Sequence, residues 1–330
     1  MSRGAKEAQG TRMQVRTIAV INATGRQAAS VTRVASAVGH RIRAHVQSKD
    51  GLVAKELAAL PNVELLEGSL DDKSLIADLF RDAHWAFINT LPFGDEVAMG
   101  RSLADAARRA GVKHYVYSSM PDHSVYGKGW PTLPHWSVKF TVENYVRQLS
   151  NLPSTFVYAG IYNNNFTSLP YPLFCMELQK DGSFRWKAPF PPDMPLPWLD
   201  AEHDVGPAVL QIFKDGPRKW AGQRIALAFE LLTPRQACAA FSRGVGRPVK
   251  YVQGPIEIKV PIPTGYKEQL EGIELLFGKY RAPYFGLELD PSPDEALQLW
   301  EGYRSLEEYA GEAFLIEERL NGLTWMTDNR

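Results

Sequence analysis

Apolar and polar residues alternate in blocks along the first half of the chain. Residues 16–21 (Arg-Thr-Ile-Ala-Val-Ile) form a short run rich in β-branched side chains, which predicts a strand. Over residues 26–38 the period changes to that of a helix, with Val31, Val34, Ala35 and Val38 on one face and Gly39 as its stop. Residues 41–46 read as a second strand, so the first three elements make one βαβ unit. Further strands are predicted at 63–66, 85–88, 114–117 and 155–158. Helices are predicted from a cap at Asp71 through Phe80, over 95–110 with Gly111 closing, and over 139–149. Six strands with intervening helices predict an α/β fold, a Rossmann-type doubly wound parallel sheet.

Beyond Ile161 the texture changes. Residues 169–198 are rich in proline and aromatics, which predicts a crossover carrying short extended pieces such as 183–186. Regular patterns resume with a helix over 204–213 capped by Asp204, a strand over 224–229 and a helix opening at Thr233-Pro234. Two more helices are expected, near 265–277 and 293–320. The organisation expected is a disordered lead-in over 1–15, a dinucleotide-binding domain over 16–165, and a smaller mixed α/β lobe over 166–330. That lobe is interleaved with the sheet and ends in an acidic helical segment over 290–330.

Composition narrows the function. The 330 residues are 45% hydrophobic, enough for a sizeable core, and hold no apolar run of about eighteen residues that would span a membrane. The first ten residues lack the apolar segment of a secretory signal, and Cys175 and Cys238 stand far apart without metal-ligand spacing. A reduced intracellular compartment and no metal are therefore expected. Lys and Arg balance Asp and Glu at 37 each, which excludes a protein that grips nucleic acid by charge alone. The balance is uneven, however. Residues 290–330 carry ten acidic and three basic side chains, so the remainder is net positive. On the expected helix over 303–320, Leu306, Tyr309, Ala313 and Leu320 share an apolar face. Glu307, Glu308, Glu312, Glu317 and Glu318 are expected to face solvent, where they could attract a basic partner.

The candidate chemistry begins at Asn22-Ala-Thr-Gly25-Arg-Gln-Ala28, between the first strand and the first helix. A phosphate-binding turn there needs a bend, a close backbone approach and a small packing residue. Asn22, Gly25 and Ala28 supply these, since Asn tolerates positive φ and Ala is small. Exposed amides at the helix start would hold a pyrophosphate. The second strand ends in Val46-Gln47-Ser48-Lys49, with neither the acid that selects NAD nor the Arg that selects NADP, so both are expected to bind. Arg26 could reach a 2′-phosphate. Three further constellations read as structural or open. Asp200-Ala-Glu-His203-Asp204 is expected to be structural, Asp122-His123-Ser124 lacks a nucleophile elbow, and Asn163-Asn-Asn165 could serve either ligand or fold.

These motifs, with Ala86-Phe-Ile-Asn-Thr90, Tyr117-Ser-Ser-Met-Pro-Asp-His-Ser124 and Lys139-Phe-Thr-Val-Glu-Asn-Tyr-Val-Arg-Gln148, resemble the NmrA-like branch of the short-chain dehydrogenase/reductase superfamily. Active reductases of that superfamily place a proton-donating Tyr one helical turn before a Lys. Here Lys139 is preceded at that distance by His135, in a Pro134-His-Trp segment expected to be an exposed loop. Lys139 is left to bond the nicotinamide ribose or to pair with Glu143. Tyr117 and Tyr126 lack such a Lys.

The resemblance implies no catalytic residues and no dehydrogenase activity. It implies a negative transcriptional regulator of nitrogen metabolite repression that binds NAD(P)+, the oxidised form in preference to the reduced. The implied partner is the zinc finger of a GATA-type transcription factor, without direct contact to nucleic acid or membrane, and the protein is expected as a monomer in nucleus and cytoplasm. By position the pyrophosphate would meet Asn22, Thr24, Gly25, Arg26 and Gln27. Gln47 would meet the adenine ribose, and Ser69 and Leu70 the adenine. Asn89, Thr90, Lys139, Ile161, Tyr162, Asn163 and Asn164 would line the nicotinamide end. The alternative is an NAD(P)H-dependent reductase of a small metabolite, with His135 or a distant Tyr as the acid.

Overall fold

The computed structural model describes residues 14–92, 94–168, 175–259, 261–262 and 265–327. Most of the expected lead-in and residues 169–174 of the crossover lie outside them.

The predicted strands form where β-branched and aromatic residues can be covered on both faces. They are β1 (Thr17–Val20), β2 (Arg41–Val46), β3 (Val63–Glu67), β4 (Trp85–Ile88), β5 (His114–Ser119) and β6 (Ser154–Ala159). Short strands β7 (Ile161–Tyr162), β8 (Met176–Leu178), β9 (Phe184–Ala188) and β10 (Leu196–Leu199) precede β11 (Arg224–Leu227). The first six strands and β11 make one seven-stranded sheet in the order β11-β6-β5-β4-β1-β2-β3, every pair parallel. The order reverses between β1 and β4, which opens a crevice at the strand C-termini. Two more strands, β12 (Glu230–Leu232) and β13 (Val249–Gln253), complete two three-stranded sheets, β12-β10-β7 and β13-β9-β8.

The first helices are α1 (Arg26–Ala37), α2 (Leu52–Ala58), α3 (Lys73–Phe80), α4 (Glu96–Arg109) and α5 (Pro134–Arg147). They are followed by α6 (Ala201–Asp215), the single turn α7 (Pro217–Trp220) and α8 (Pro234–Val245). Helices α3, α4 and α5 bury Leu79, Leu103 and Val142 against one sheet face, and α1 and α6 bury Val31 and Val209 against the other. The α1–α6 contact is unusually close. Gly206 donates its N–H to Ser30 Oγ at 2.9 Å, and a Cβ on Gly206 would collide with the Ser30 carbonyl.

Several boundaries differ from expectation, each for a local reason. Helix α2 was not anticipated, because its buried residues, Ala54 and Leu57, fill less than one turn of period. Asp72 rather than Asp71 caps α3, its carboxylate accepting from Ser74 N at 2.8 Å, while Asp71 folds back on Ser69. Pro134 starts α5 instead of holding a loop, since a proline at the first helical position gives up no needed N–H. Asp200 caps α6, accepting from the amides of Glu202 and His203, whereas Asp204 is buried in the first turn.

The C-terminal segment departs most. The expected helix over 265–277 is α9 (Tyr266–Ile273) followed by a π-helical turn (Glu274–Lys279). The expected helix over 293–320 is three pieces, α10 (Asp294–Leu299), α11 (Leu306–Gly311) and α12 (Ala313–Leu320). Ser305 and Glu308 restart it with a reciprocal cap, and Glu312 breaks it again at φ −116°. That break turns α12, so Leu320 is exposed and Glu318 is fully buried. Glu318 accepts from Ser168 N and Trp325 Nε1, both at 2.8 Å. The acidic face is therefore not uniformly solvated.

The Gly206 contact predicts a specific intolerance. Gly206→Ala lowers unfolding free energy by about 1–3 kcal/mol, the usual cost of overpacking against backbone, read as an earlier urea midpoint. An unchanged midpoint would show that the two helices can separate.

Candidate functional site

The crevice is organised by one residue in left-handed backbone geometry, Asn22 at φ 55°. Its conformation is held from three sides. The Asn22 side-chain amide donates to Asn89 O at 2.6 Å, tying the ends of β1 and β4 together. The Asn22 N–H donates to His45 Nδ1 at 3.3 Å, and Gly25 N–H returns to Asn22 O at 2.9 Å. Since Nδ1 accepts a backbone proton, His45 carries its own proton on Nε2, which donates to Gly68 O at 3.0 Å. A single neutral imidazole thus joins the turns after β1 and β3. Burial holds His45 below its ordinary pKa, against the opposing pull of the Gly68 carbonyl. Sequence reasoning missed His45. Its signal was a polar residue within the buried run of β2, one position before the strand ends.

Helix α1 has no side-chain cap at Gly25, so no side chain of the cap satisfies its first amides, as an anion-binding helix start requires. Ala28 is fully buried, as the packing position requires. On either side of this helix start lies a cavity. The outer one, about 480 Å³, is lined by Asn22, His45, Gln47, Ser69 and Leu70. The inner one, about 320 Å³, is lined by Gln27, Asn89, Thr90, Lys139, Ile161 and Tyr162. Leu91 borders both. The geometry suits an extended ligand with a ring at each end and an anion in the middle.

Five of the expected residues line neither cavity. Thr24, Gly25 and Arg26 form the turn without lining either cavity, and Thr24 is exposed. Asn163 and Asn164 are buried behind the wall, and Asn165 lines the inner cavity in their place. Asn164 Oδ1 accepts from Ala201 N at 2.9 Å and its Nδ2 donates to Glu317 Oε1 at 3.3 Å, so its amide is spent on α6 and α12.

Arg26 does not extend toward the outer cavity. Its guanidinium pairs with Glu202 at the start of α6 and, at 3.5 Å, with Glu317 of α12. Tyr309 O–H donates to the other Glu317 oxygen at 2.9 Å. Burial would lower Arg26, but Glu317 and Glu202 outweigh it and the pKa rises. The side chain expected to reach a 2′-phosphate is instead drawn to the C-terminal segment.

Lys139 is also committed, though not to Glu143. Its ammonium donates to Thr90 O at 2.7 Å, Thr90 Oγ1 at 3.2 Å and Glu96 Oε1 at 2.9 Å. Glu143, fully buried, instead serves Arg147, Arg224 and Tyr158. Tyr117 O–H meets Thr90 Oγ1 at 3.1 Å, and burial drives its pKa far above the ordinary value. Because α5 begins at Pro134, His135 does sit one helical turn before Lys139. The imidazole is only half-buried, and burial lowers its pKa against the opposing pull of Glu96, with the charge of Lys139 adding to the drop. Lys139 is thus held by Glu96 and Thr90 on the opposite wall. The described residues also contain no His/Cys/Asp/Glu group able to hold a metal.

A parallel sheet with this switch-point crevice beside an uncapped helix start defines a Rossmann-type fold, the kind that binds dinucleotides. Residues 14–310 match the NmrA-like family, and the chain belongs to that family. It is 60% identical over 350 aligned residues to the nitrogen metabolite repression protein nmrA of Emericella nidulans, covering 95% of this chain and 99% of that protein. Identity to the nitrogen metabolite repression protein nmr of Neurospora crassa is 57% over 349 residues, covering 95% of this chain and 71% of that one. Crystal structures of NmrA, a negative transcriptional regulator, in complex with NAD and with NADP match at TM-scores of 0.92 and 0.91. Both are 64% identical and cover 95% of this chain and 100% of theirs.

His45 gives a prediction with a defined sign. The unfolded chain takes a proton on this imidazole below about pH 6.5, while the folded chain resists it. The stabilisation from the neutral ring is present above that pH and is lost as pH falls toward the depressed folded value. His45→Phe keeps the bulk and removes both bonds, so NAD+ affinity falls on the order of tenfold at pH 7.5 by calorimetry. Unaltered affinity would mean that the turn holds itself.

Proposed function

We propose that the chain is an NAD(P)+-binding negative transcriptional regulator of the nitrogen metabolite repression type. It acts by binding the zinc finger of a GATA-type transcription factor, in nucleus and cytoplasm and as a monomer. The observation that carries the reading is a two-chambered dinucleotide crevice whose Lys139 is tied to Glu96 and whose proton-donating Tyr is replaced by His135. Such a site binds the cofactor and leaves its hydride in place. The naming of relatives that are nitrogen metabolite repression proteins, with NAD and NADP bound in the NmrA structures, supports the same reading.

Oxidised dinucleotide is favoured on electrostatic grounds. The second Glu96 oxygen is buried without a hydrogen-bond partner, directly behind Thr90 in the chamber wall. Lys139 offsets the charge of that carboxylate, and the open lone pairs of its second oxygen still favour the cationic oxidised ring over the neutral reduced one. Bound nucleotide also lies against the turn that carries Arg26, and Arg26 is paired to Glu317 of the acidic segment. Redistribution of that pair on binding gives a route from nucleotide state to partner surface.

Calorimetry with all four nucleotides tests the sensing step. NAD+ and NADP+ bind with similar affinity, and each binds roughly tenfold more tightly than its reduced form, within the usual range of coupling energies. Equal affinity for all four would end the redox reading. The partner is tested by capture of a purified GATA-type zinc finger, with Glu307→Gln/Glu312→Gln weakening the capture. Steady hydride turnover on a carbonyl substrate, lost in Lys139→Ala, would establish the reductase instead.

A further inference from the structure

The sheet β13-β9-β8 leaves one edge open. Strand β13 pairs only with β9, in parallel, with Val249 opposite Phe184 and Gln253 opposite Ala188. Phe184 N–H donates to Pro248 O at 2.8 Å and Gly254 N–H to Ala188 O at 3.0 Å. The two-residue period of this ladder gives the backbone of Lys250 and Val252 to β9. It turns the N–H and C=O groups of Val249, Tyr251 and Gln253 outward. None of these groups has a hydrogen bond to another described residue. A row of open donors and acceptors along an edge is a template for one more strand.

That edge borders a groove rather than a flat surface. A hollow of about 500 Å³ lies between Val249, Tyr251 and Gln253 of β13 and Arg235, Ala239 and Ser242 of α8. The α8 residues are spaced four and three apart and so share one helix face, where the small side chains at 239 and 242 leave room. A second hollow, bordered by Ser183, Arg247 and Lys250, continues past Val249. The charge along this path is one-sided. Arg235, Arg247 and Lys250 line it without an ion pair to any described residue, and Asp181 is the single acid among the described lining residues. Arg247 donates instead to the carbonyls of Gly182 at 3.3 Å and Trp325 at 2.8 Å. The two faces of β13 also differ. Tyr251 lies against Trp186 on the core side, ring centroids 5.0 Å apart, whereas Lys250 is exposed on the other.

We propose that β13 and α8 form a docking groove for an acidic, extended peptide segment of a partner protein, added to the three-stranded sheet as a fourth strand. The peptide backbone bonds the outward groups of Val249, Tyr251 and Gln253. Its alternate side chains then meet different surroundings. Those on the core side are small and apolar, facing Ala239 and Ser242, and those on the other side are Asp or Glu beside Lys250. Arg235 in the groove and Arg247 in the second hollow attract further acids. A second copy of this chain suits the edge less well, because pairing β13 with itself brings Lys250 and Arg235 towards their own counterparts. The groove shares no lining residue with the crevice cavities, and its charge is opposite to that of the acidic segment assigned to the zinc finger. The inference therefore goes beyond the regulatory reading and stands without it.

The test uses the full chain and a fluorescein-labelled peptide, Ala-Glu-Val-Glu-Val-Glu-Ala, with binding read by fluorescence anisotropy. A comparison peptide carries Lys in place of each Glu. The acidic peptide is expected to bind saturably at one site, roughly tenfold more tightly than the basic one. Ala239→Trp fills the groove and abolishes binding, and Lys250→Glu weakens it about fivefold. Both positions are exposed, so both variants fold and keep their NAD+ affinity. Addition to the edge has a signature of its own. N-methylation of one alternate set of peptide amides abolishes binding, while methylation of the other set leaves it within about threefold. Absence of saturable binding, equal loss from the two methylated sets, or undiminished binding in both variants would each overturn the docking groove. So would a dimer in sedimentation that Ala239→Trp dissolves, since the edge would then belong to a second copy.

Discussion

Everything at the crevice depends on one reversal of chain direction, the left-handed step at Asn22. A residue with a Cβ is held there against its steric preference by bonds to Asn89, His45 and Gly25. That step aims the start of α1 into the gap between β1 and β4, and it sets the two cavities on either side. A glycine would make the bend more cheaply, but it would lose the amide that ties β1 to β4. The substitution of Asn for Gly thus exchanges local freedom for a cross-strand tether.

Around this point the polar groups are paired with unusual economy. Arg26, Lys139 and Arg224 each meet buried or half-buried carboxylates, and the carboxylates come from elements distant in sequence. Isolated charges in such positions would be costly, so each pair is fixed by the need of both partners. Here that need ties together elements far apart in the chain. Lys139, for one, joins α5 to the wall of the crevice through Thr90 and Glu96.

The sheet was legible because its strands are short β-branched runs set between helices that, α2 excepted, carry a period of 3.6 residues. The turn at Asn22, Gly25 and Ala28 was legible because its geometry demands particular small residues. Pair partners were not. Lys139 looked toward Glu143 by helical spacing, yet Glu96 claimed it from another helix, because tertiary distance outranks sequence distance in choosing ion pairs. His135 was read as a loop residue because Pro134 suggested a break, whereas a proline at a helix start is compatible with either outcome until neighbours decide. The C-terminal segment was the least legible. Its continuous apolar period concealed two breaks that come from caps and packing, and these turned Glu317 and Glu318 inward.

The contact between Gly206 and Ser30 has a consequence for how such a molecule can change over time. It fixes the distance from the nucleotide turn to the first turn of α6, where Glu202 and the Asp200 cap reside. The chain between β7 and β10 touches the crevice through Asn164, which holds the start of α6, and Asn165, which lines the inner cavity. Drift can accumulate at its exposed positions, such as Lys180 and Asp181, while the two helices keep their spacing like the marks on a ruler.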